Sequence, residues 1–364
     1  HRRQGSVEPS IHMFARGDKN PLSYYRQVPG VRRLVVDLGG VPGQVVEKVW
    51  MEHVLGELAE VGLGLAVVES FVVSNAIKLE LPERDQHVEA FCQTLRNYGA
   101  AMRARGAEGP FRVCYDFMGP ENWWRNLLAV RDEADRVCVG YDPRQPEPEV
   151  EQLGDRPRLG YPESYTDREY QRLVDLSRER GEEGLWEALT HFLRAIIPVA
   201  EEENVWMGLH PDDPSFNVRA RPRIVKDSAT LKRVVGIVPS PSNGITFCPG
   251  SLATRRENDV LAIAEELWPH FVFCHFRNIR FLWDGDQNGE TAFLETYHAD
   301  DKGAVPIPAL LGLLHAKGCT APYRADHAPG MYGHDLNFGY GLAARAQGLS
   351  YLQGILAGLA ELRV

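Results

Sequence analysis

Eight short apolar runs, spaced by segments of helical period, constrain this chain more than any other feature. They cover residues 11–16, 31–38, 63–70, 111–118, 205–213, 245–251, 271–278 and 321–327. Short apolar runs of this kind read as buried strands. Between them the period changes: Val88, Phe91, Cys92 and Leu95 recur at helical spacing. Helices are expected near 44–61, 83–105, 166–180, 183–203, 228–238, 256–268, 306–317 and 340–361. Strands that alternate with helices predict a parallel sheet with right-handed crossovers. Eight such units close into a (β/α)8 TIM barrel. An open doubly wound sheet is the competing α/β fold, but no Gly-x-Gly-x-x-Gly follows the first strand. With no internal repeat, residues 1–364 are expected to form a single barrel domain.

Two long insertions interrupt the alternation, after strands four and seven. The first, 119–166, holds Asn122, Trp123 and Trp124 and then a run rich in proline and charge. The second spans 277–304. Loops of that length usually have a use, and the first is expected to be a lid or an interface.

The bulk numbers exclude more than they assign. A net charge of −10 argues against a nucleic-acid partner. No apolar run reaches the ~18 residues of a membrane span, and the polar start carries no apolar leader segment. The six cysteines, Cys92, Cys114, Cys138, Cys248, Cys274 and Cys319, form no Cys-x-x-Cys pair. That usage suits a reducing cytoplasm.

The last four strand runs end in residues that can bind a metal: His210, Cys248, His275 and Asp326. In a barrel, strand ends meet on one face, so these four can surround one ion. Histidine and aspartate serve Zn²⁺, Mn²⁺ or Fe²⁺; thiolate favours Zn²⁺; a mixed O/N/S site with room for substrate oxygens suits Mn²⁺. Several neighbours are candidates for handling substrate. Asp212 and Asp213 follow His210 and either orient the ligands or form a solvated turn, since His-Pro-Asp-Asp-Pro is rich in turn formers. Arg277 and Asn278 follow His275; an arginine fork there fits a carboxylate or makes a salt bridge. His327, beside Asp326, is a candidate acid or base. Tyr340 lies between glycines that permit close backbone approach, and is a proton-transfer phenol or a packed helix-start residue. Glu69 ends strand three and lines the same face or pairs with an arginine.

At these residues the chain resembles the D-mannonate dehydratase family. The resemblance rests on LRAIIPVAEE (193–202), HPDDP (210–214), RPRIV (221–225), NGITFCPGS, CHFRN, RADH and GYGLAARAQGL (339–349), and in the first half on VVES, QTLRN and VCYDFM. It implies a (β/α)8 barrel that uses Mn²⁺, or in some settings Mg²⁺, to remove water from D-mannonate, giving 2-keto-3-deoxy-D-gluconate. It also implies metal ligands at His210, Cys248, His275 and Asp326, a proton-transfer pair at His327 and Tyr340, a sugar acid as the small-molecule partner, and a homo-oligomer, taken here as a dimer. Four positions depart from the family pattern: Gly39, Ser74 and Pro329 stand where it has histidine, and Asp116 where it has asparagine. Asp116 would repel an acidic substrate unless it is protonated or faces the ion. These departures leave open a dehydratase of another aldonate, or a metal-dependent sugar isomerase or epimerase.

Overall fold

A computed structural model describes residues 8–146, 165–333 and 339–361. The strands, in chain order, are β1 (Pro9–Phe14), β2 (Arg33–Asp37), β3 (Gly64–Glu69), β4 (Phe111–Tyr115), β5 (Leu127–Arg131), β6 (Val137–Tyr141), β7 (Val205–Leu209), β8 (Asn243–Phe247), β9 (Phe271–Phe276), β10 (Asn278–Phe281), β11 (Phe293–Thr296) and β12 (Tyr323–Ala325). Eight of them form a closed, all-parallel barrel in the order β1-β12-β9-β8-β7-β4-β3-β2. The sequence of ring neighbours is the sequence of the chain, as the eight-unit reading requires. Closure comes from β1, which pairs with both β2 and β12.

The helices are α1 (Leu22–Arg26), α2 (Lys48–Glu60), α3 (Asn75–Lys78), α4 (Arg84–Ala104), α5 (Asp167–Glu202), α6 (Ser228–Ile237), α7 (Pro249–Leu252), α8 (Val260–Leu267), α9 (Ile307–Lys317) and α10 (Leu342–Glu361). Local chemistry sets several ends. Thr166 and Glu169 form a reciprocal capping box at the start of α5, and Asp227 and Thr230 do so for α6. Gly318 closes α9 in the left-handed conformation, with φ 71°. The two helices expected over 166–203 run on as α5, broken at Gly181, whose φ of 63° and ψ of −168° lie outside the helical region.

The main apolar core lies between the barrel and its helices. A second, small cluster of Val35, Ala66, Val67, Cys114 and Phe273 comes from β2, β3, β4 and β9. Strands β4 and β9 are not ring neighbours, so these side chains meet inside the barrel. They form the apolar floor under the strand ends.

The described part of the insertions forms a sheet of its own. Strands β5 and β6 from the first insertion join β10 and β11 from the second in one antiparallel sheet, ordered β10-β11-β6-β5. The seam pairs Phe293 with Tyr141 and Leu294 with Gly140. A Cβ on Gly140 would lie 2.2 Å from the Phe293 carbonyl oxygen, so only glycine permits the seam to close. Much of the Pro-rich run, 147–164, lies outside the described residues. Among the described residues, no helix is long and apolar enough to cross a membrane.

Candidate metal centre and proton-transfer site

Three of the four expected ligands converge. His210 directly follows β7, Cys248 follows β8 as the cap of α7, and His275 lies within β9. Their ligand atoms all fall within 4.8 Å of one another. Asp326, just past β12, flanks this trio: its Oδ2 is 3.8 Å from the Cys248 sulfur and its Oδ1 4.0 Å from His275 Nδ1. Register explains the approach, since Arg324 lies opposite His275 and Ala325 opposite Phe276.

The residues fit a divalent ion. His275 is 1 % exposed, and among the described residues neither ring nitrogen makes a well-aligned hydrogen bond: the nearest carboxylate oxygens are Glu69 Oε1, 3.4 Å from Nε2, and Asp326 Oδ1, 4.0 Å from Nδ1, the latter already paired with Arg324 at 2.8 Å. Buried polar atoms left bare cost on the order of 1–3 kcal/mol each. A cation facing them removes that cost. His210 is also prepared to bind the ion. Its Nδ1 is 2.6 Å from the Pro211 carbonyl, so Nδ1–H donates there and Nε2 keeps its lone pair. Imidazoles, a thiolate and a carboxylate form a donor set for a first-row divalent metal. A second trio, Glu69, Cys114 and His275, is equally close. However, both Glu69 oxygens accept from Arg324, at 2.7 and 2.9 Å, and burial pushes the Cys114 thiol well up, so the first trio is the better seat for a cation.

Beside the ligands lies a buried network of charge. Arg277 is fully buried, and its donors reach Asp213 Oδ2 (2.9 Å), Asp326 Oδ2 (3.3 Å) and Ser251 Oγ (3.1 Å). Arg125, from the first insertion, reaches Asp213 Oδ1 at 2.7 Å and Glu295 Oε1 at 2.8 Å. Burial alone would raise the pKa of Asp213, Glu295 and Asp326. The surrounding arginines, with His327 beside Glu295 and Asp326, hold all three carboxyls below the usual range. His327 joins the network through Nδ1, 2.9 Å from Glu295 Oε2. Its ring is 4.8 Å from the Tyr340 ring and 5.3 Å from Trp123, centroid to centroid. Burial raises the Tyr340 phenol, which therefore keeps its proton at neutral pH.

The other sequence candidates are each engaged in contacts within the protein. Arg277 holds Asp213, Asp326 and Ser251 through its two terminal nitrogens, while its Nε has no hydrogen-bond partner among the described residues. Asn278 Oδ1 accepts from the Ile279 and Val305 amides, both at 3.0 Å, pinning the second insertion. Asp212 Oδ2 accepts from the Ile224 and Val225 amides at 2.6 and 2.7 Å, fastening the loop after β7. Asp116 pairs with buried Lys78 at 3.0 Å, which neutralises the charge that would repel an acidic substrate. Ser74 caps α3 and contacts His87 Nδ1 at 2.7 Å, and Gly39 donates its amide to Asp37. Sequence reading missed Arg125, Glu295 and Arg324. The available signal was a charged residue inside an apolar run, as in Phe293-Leu294-Glu295, because such a charge is buried only when paired.

The chain is similar to known proteins in sequence and in fold. The family described as D-mannonate dehydratase (UxuA) matches residues 7–363. A mannonate dehydratase of Enterococcus faecalis is 35% identical over 350 residues, 94% of each chain. Mannonate dehydratase 2 of Halalkalibacterium halodurans is 33% identical over 353 residues, 95% of this chain and 97% of that one. The crystal structure of mannonate dehydratase from Streptococcus suis superposes with a TM-score of 0.84 at 28% identity, covering 98% of this chain and 94% of that one. More distant barrels, such as an L-ribulose 3-epimerase with a TM-score of 0.52 at 14% identity, share the fold alone. Matched along nearly its whole length in sequence and in fold, the chain belongs to the D-mannonate dehydratase family, a family of hydro-lyases.

Proposed function

We propose that the protein removes water from D-mannonate to give 2-keto-3-deoxy-D-gluconate, with Mn²⁺ as the preferred ion and Mg²⁺, Zn²⁺ or Fe²⁺ as weaker substitutes. His210, Cys248, His275 and Asp326 hold the ion. The observation that carries this reading is the His327–Tyr340 pair, with ring centroids 4.8 Å apart next to the ligand cluster, in a chain of this family. When bound, the ion supplies Lewis-acid stabilisation for the charge that builds on the substrate carboxylate. His327 takes the proton from the carbon beside that carboxylate. Tyr340, protonated because burial disfavours its phenolate, gives a proton to the departing hydroxyl. One proton is removed and one is supplied, water leaves, and the resulting enol becomes the 2-keto acid. Trp123 and the apolar floor exclude bulk water from the pair.

The test is a turnover assay of the Mn²⁺-loaded protein on a panel of hexonates, read by appearance of a 2-keto-3-deoxy acid. Turnover of D-mannonate at roughly 1 per second or faster, lost on chelation, is the expected result. Metal bound without turnover of D-mannonate defeats the substrate assignment. A product that keeps all its hydroxyls identifies an isomerase or epimerase instead.

A further inference from the structure

The insertion sheet holds a carboxylate against the imidazole of His327. Glu295 lies in β11 and is 2 % exposed. Its two oxygens have separate partners. Oε1 accepts from Arg125, which also grips Asp213; Oε2 sits 2.9 Å from His327 Nδ1. Arg277 Nη1 also approaches His327 Nδ1, at 3.2 Å, so two tautomers compete. If Nδ1 were bare it would accept from Arg277, and Oε2 of Glu295 would face a lone pair. If Nδ1 carries the proton, it donates to Glu295, and Arg277 keeps Asp213 and Asp326 as acceptors. Glu295 keeps Arg125 on Oε1 in either case, but only the second arrangement gives buried Oε2 a donor instead of a lone pair.

We propose that Glu295 is the positioning residue of the proton-transfer site: from the insertion sheet it fixes the Nδ1–H tautomer of His327 and leaves Nε2, 3.7 Å from Asp326 Oδ1, as the nitrogen able to take a proton. Arg125, from the other insertion, anchors the Glu295 carboxylate. The two insertions thus act jointly on one imidazole of the barrel. The catalytic part of this inference rests on the base role given to His327 above; the tautomer part does not.

The test is ¹⁵N spectroscopy of the histidine-labelled, Mg²⁺-loaded full chain at mildly alkaline pH, with the His327 signals assigned by their loss in His327→Gln. The two ring nitrogens have distinct shifts according to which is protonated. The expected pattern in the parent is Nδ1 protonated and Nε2 bare; any other pattern overturns the proposal, with no variant needed. In Glu295→Gln, whose amide can donate to Nδ1, the signals should move toward the Nε2–H form. Its kcat on D-mannonate should fall by about 10²-fold or more, as wrong-tautomer variants of other enzymes do, with KM and the Mn²⁺ dissociation constant within about 3-fold of the parent. An unchanged tautomer in this variant would make Glu295 a structural ion-pair partner only. If the parent does not turn over D-mannonate, the spectra still decide the tautomer, so failure of the substrate assignment and failure of this proposal are separable.

Discussion

The parallel barrel and the antiparallel insertion sheet divide the site between them. The barrel contributes the candidate metal ligands and the candidate proton-transfer residues, each at or near the C-terminal end of a strand or in the segment that follows the last one. The insertion sheet contributes none of these. It supplies the charges that hold them, with Arg125 from one insertion meeting Glu295 from the other. On the reading proposed above, the barrel supplies the reacting groups and Glu295 of the sheet aims one of them. A site built this way can change its orientation without changing its ligands.

The largest effect should come from the barrel side. Cys248→Ala or Asp326→Ala is expected to remove Mn²⁺ and to lower activity by at least ~10³-fold, while circular dichroism keeps the parent's signal. Retention of the metal at parental affinity would take the ion away from the strand ends. Next is Arg125→Met, which strands Asp213 and Glu295 as buried, poorly compensated charges. Urea unfolding should show a loss of about 3–5 kcal/mol. A near-neutral result would mean that the sheet is held by its strands alone. Gly140→Val should cost about 2–3 kcal/mol, because its side chain meets the Phe293 carbonyl. Hydrogen exchange should then quicken in β5, β6, β10 and β11 while the barrel strands stay protected. Equal loss of protection in both sheets would show that they unfold as one unit.

The smallest predicted effect concerns Asp37 at the mouth of β2. Burial, with Glu69 nearby, lifts its carboxyl to about 6, against the pull of the Gly39 amide. The folded state therefore prefers the protonated acid. This stabilisation is complete below the unfolded pKa of about 4 and is lost as pH rises through about 6. Asp37→Asn should remove that slope, so the variant gains on the parent by about 1 kcal/mol between pH 4 and pH 7, measured as Tm against pH. A gap that narrows with rising pH would contradict the burial argument.

Barrel order, helix placement and the three converging ligands could all be read in the sequence because each rests on a local pattern. A β-branched run, a change of period and a ligand at a strand end each fit within one short window. The insertion sheet could not be read this way. Strands β10 and β11 have four residues each, and the β6–β11 seam joins residues near 140 to residues near 293 through two pairs. No local window contains both sides. For the same reason the contacts of Arg277 with Asp213 and Ser251 cannot be read at its strand end, because both partners lie far away in the chain. The Pro-rich run and the residues just before Tyr340 lie outside the described residues.

The bond from His210 Nδ1 to the Pro211 carbonyl has a consequence for heredity. Its acceptor is main chain, so no exchange of the side chain at position 211 removes the carbonyl itself, and the lone pair that His210 would offer a metal comes with the fold. A histidine steered by another residue's side chain has no such protection. Within one lineage, metal capture would then drift slowly, while the aim of the proton-transfer imidazole lies a single substitution from change. New substrates would be reached along the second route.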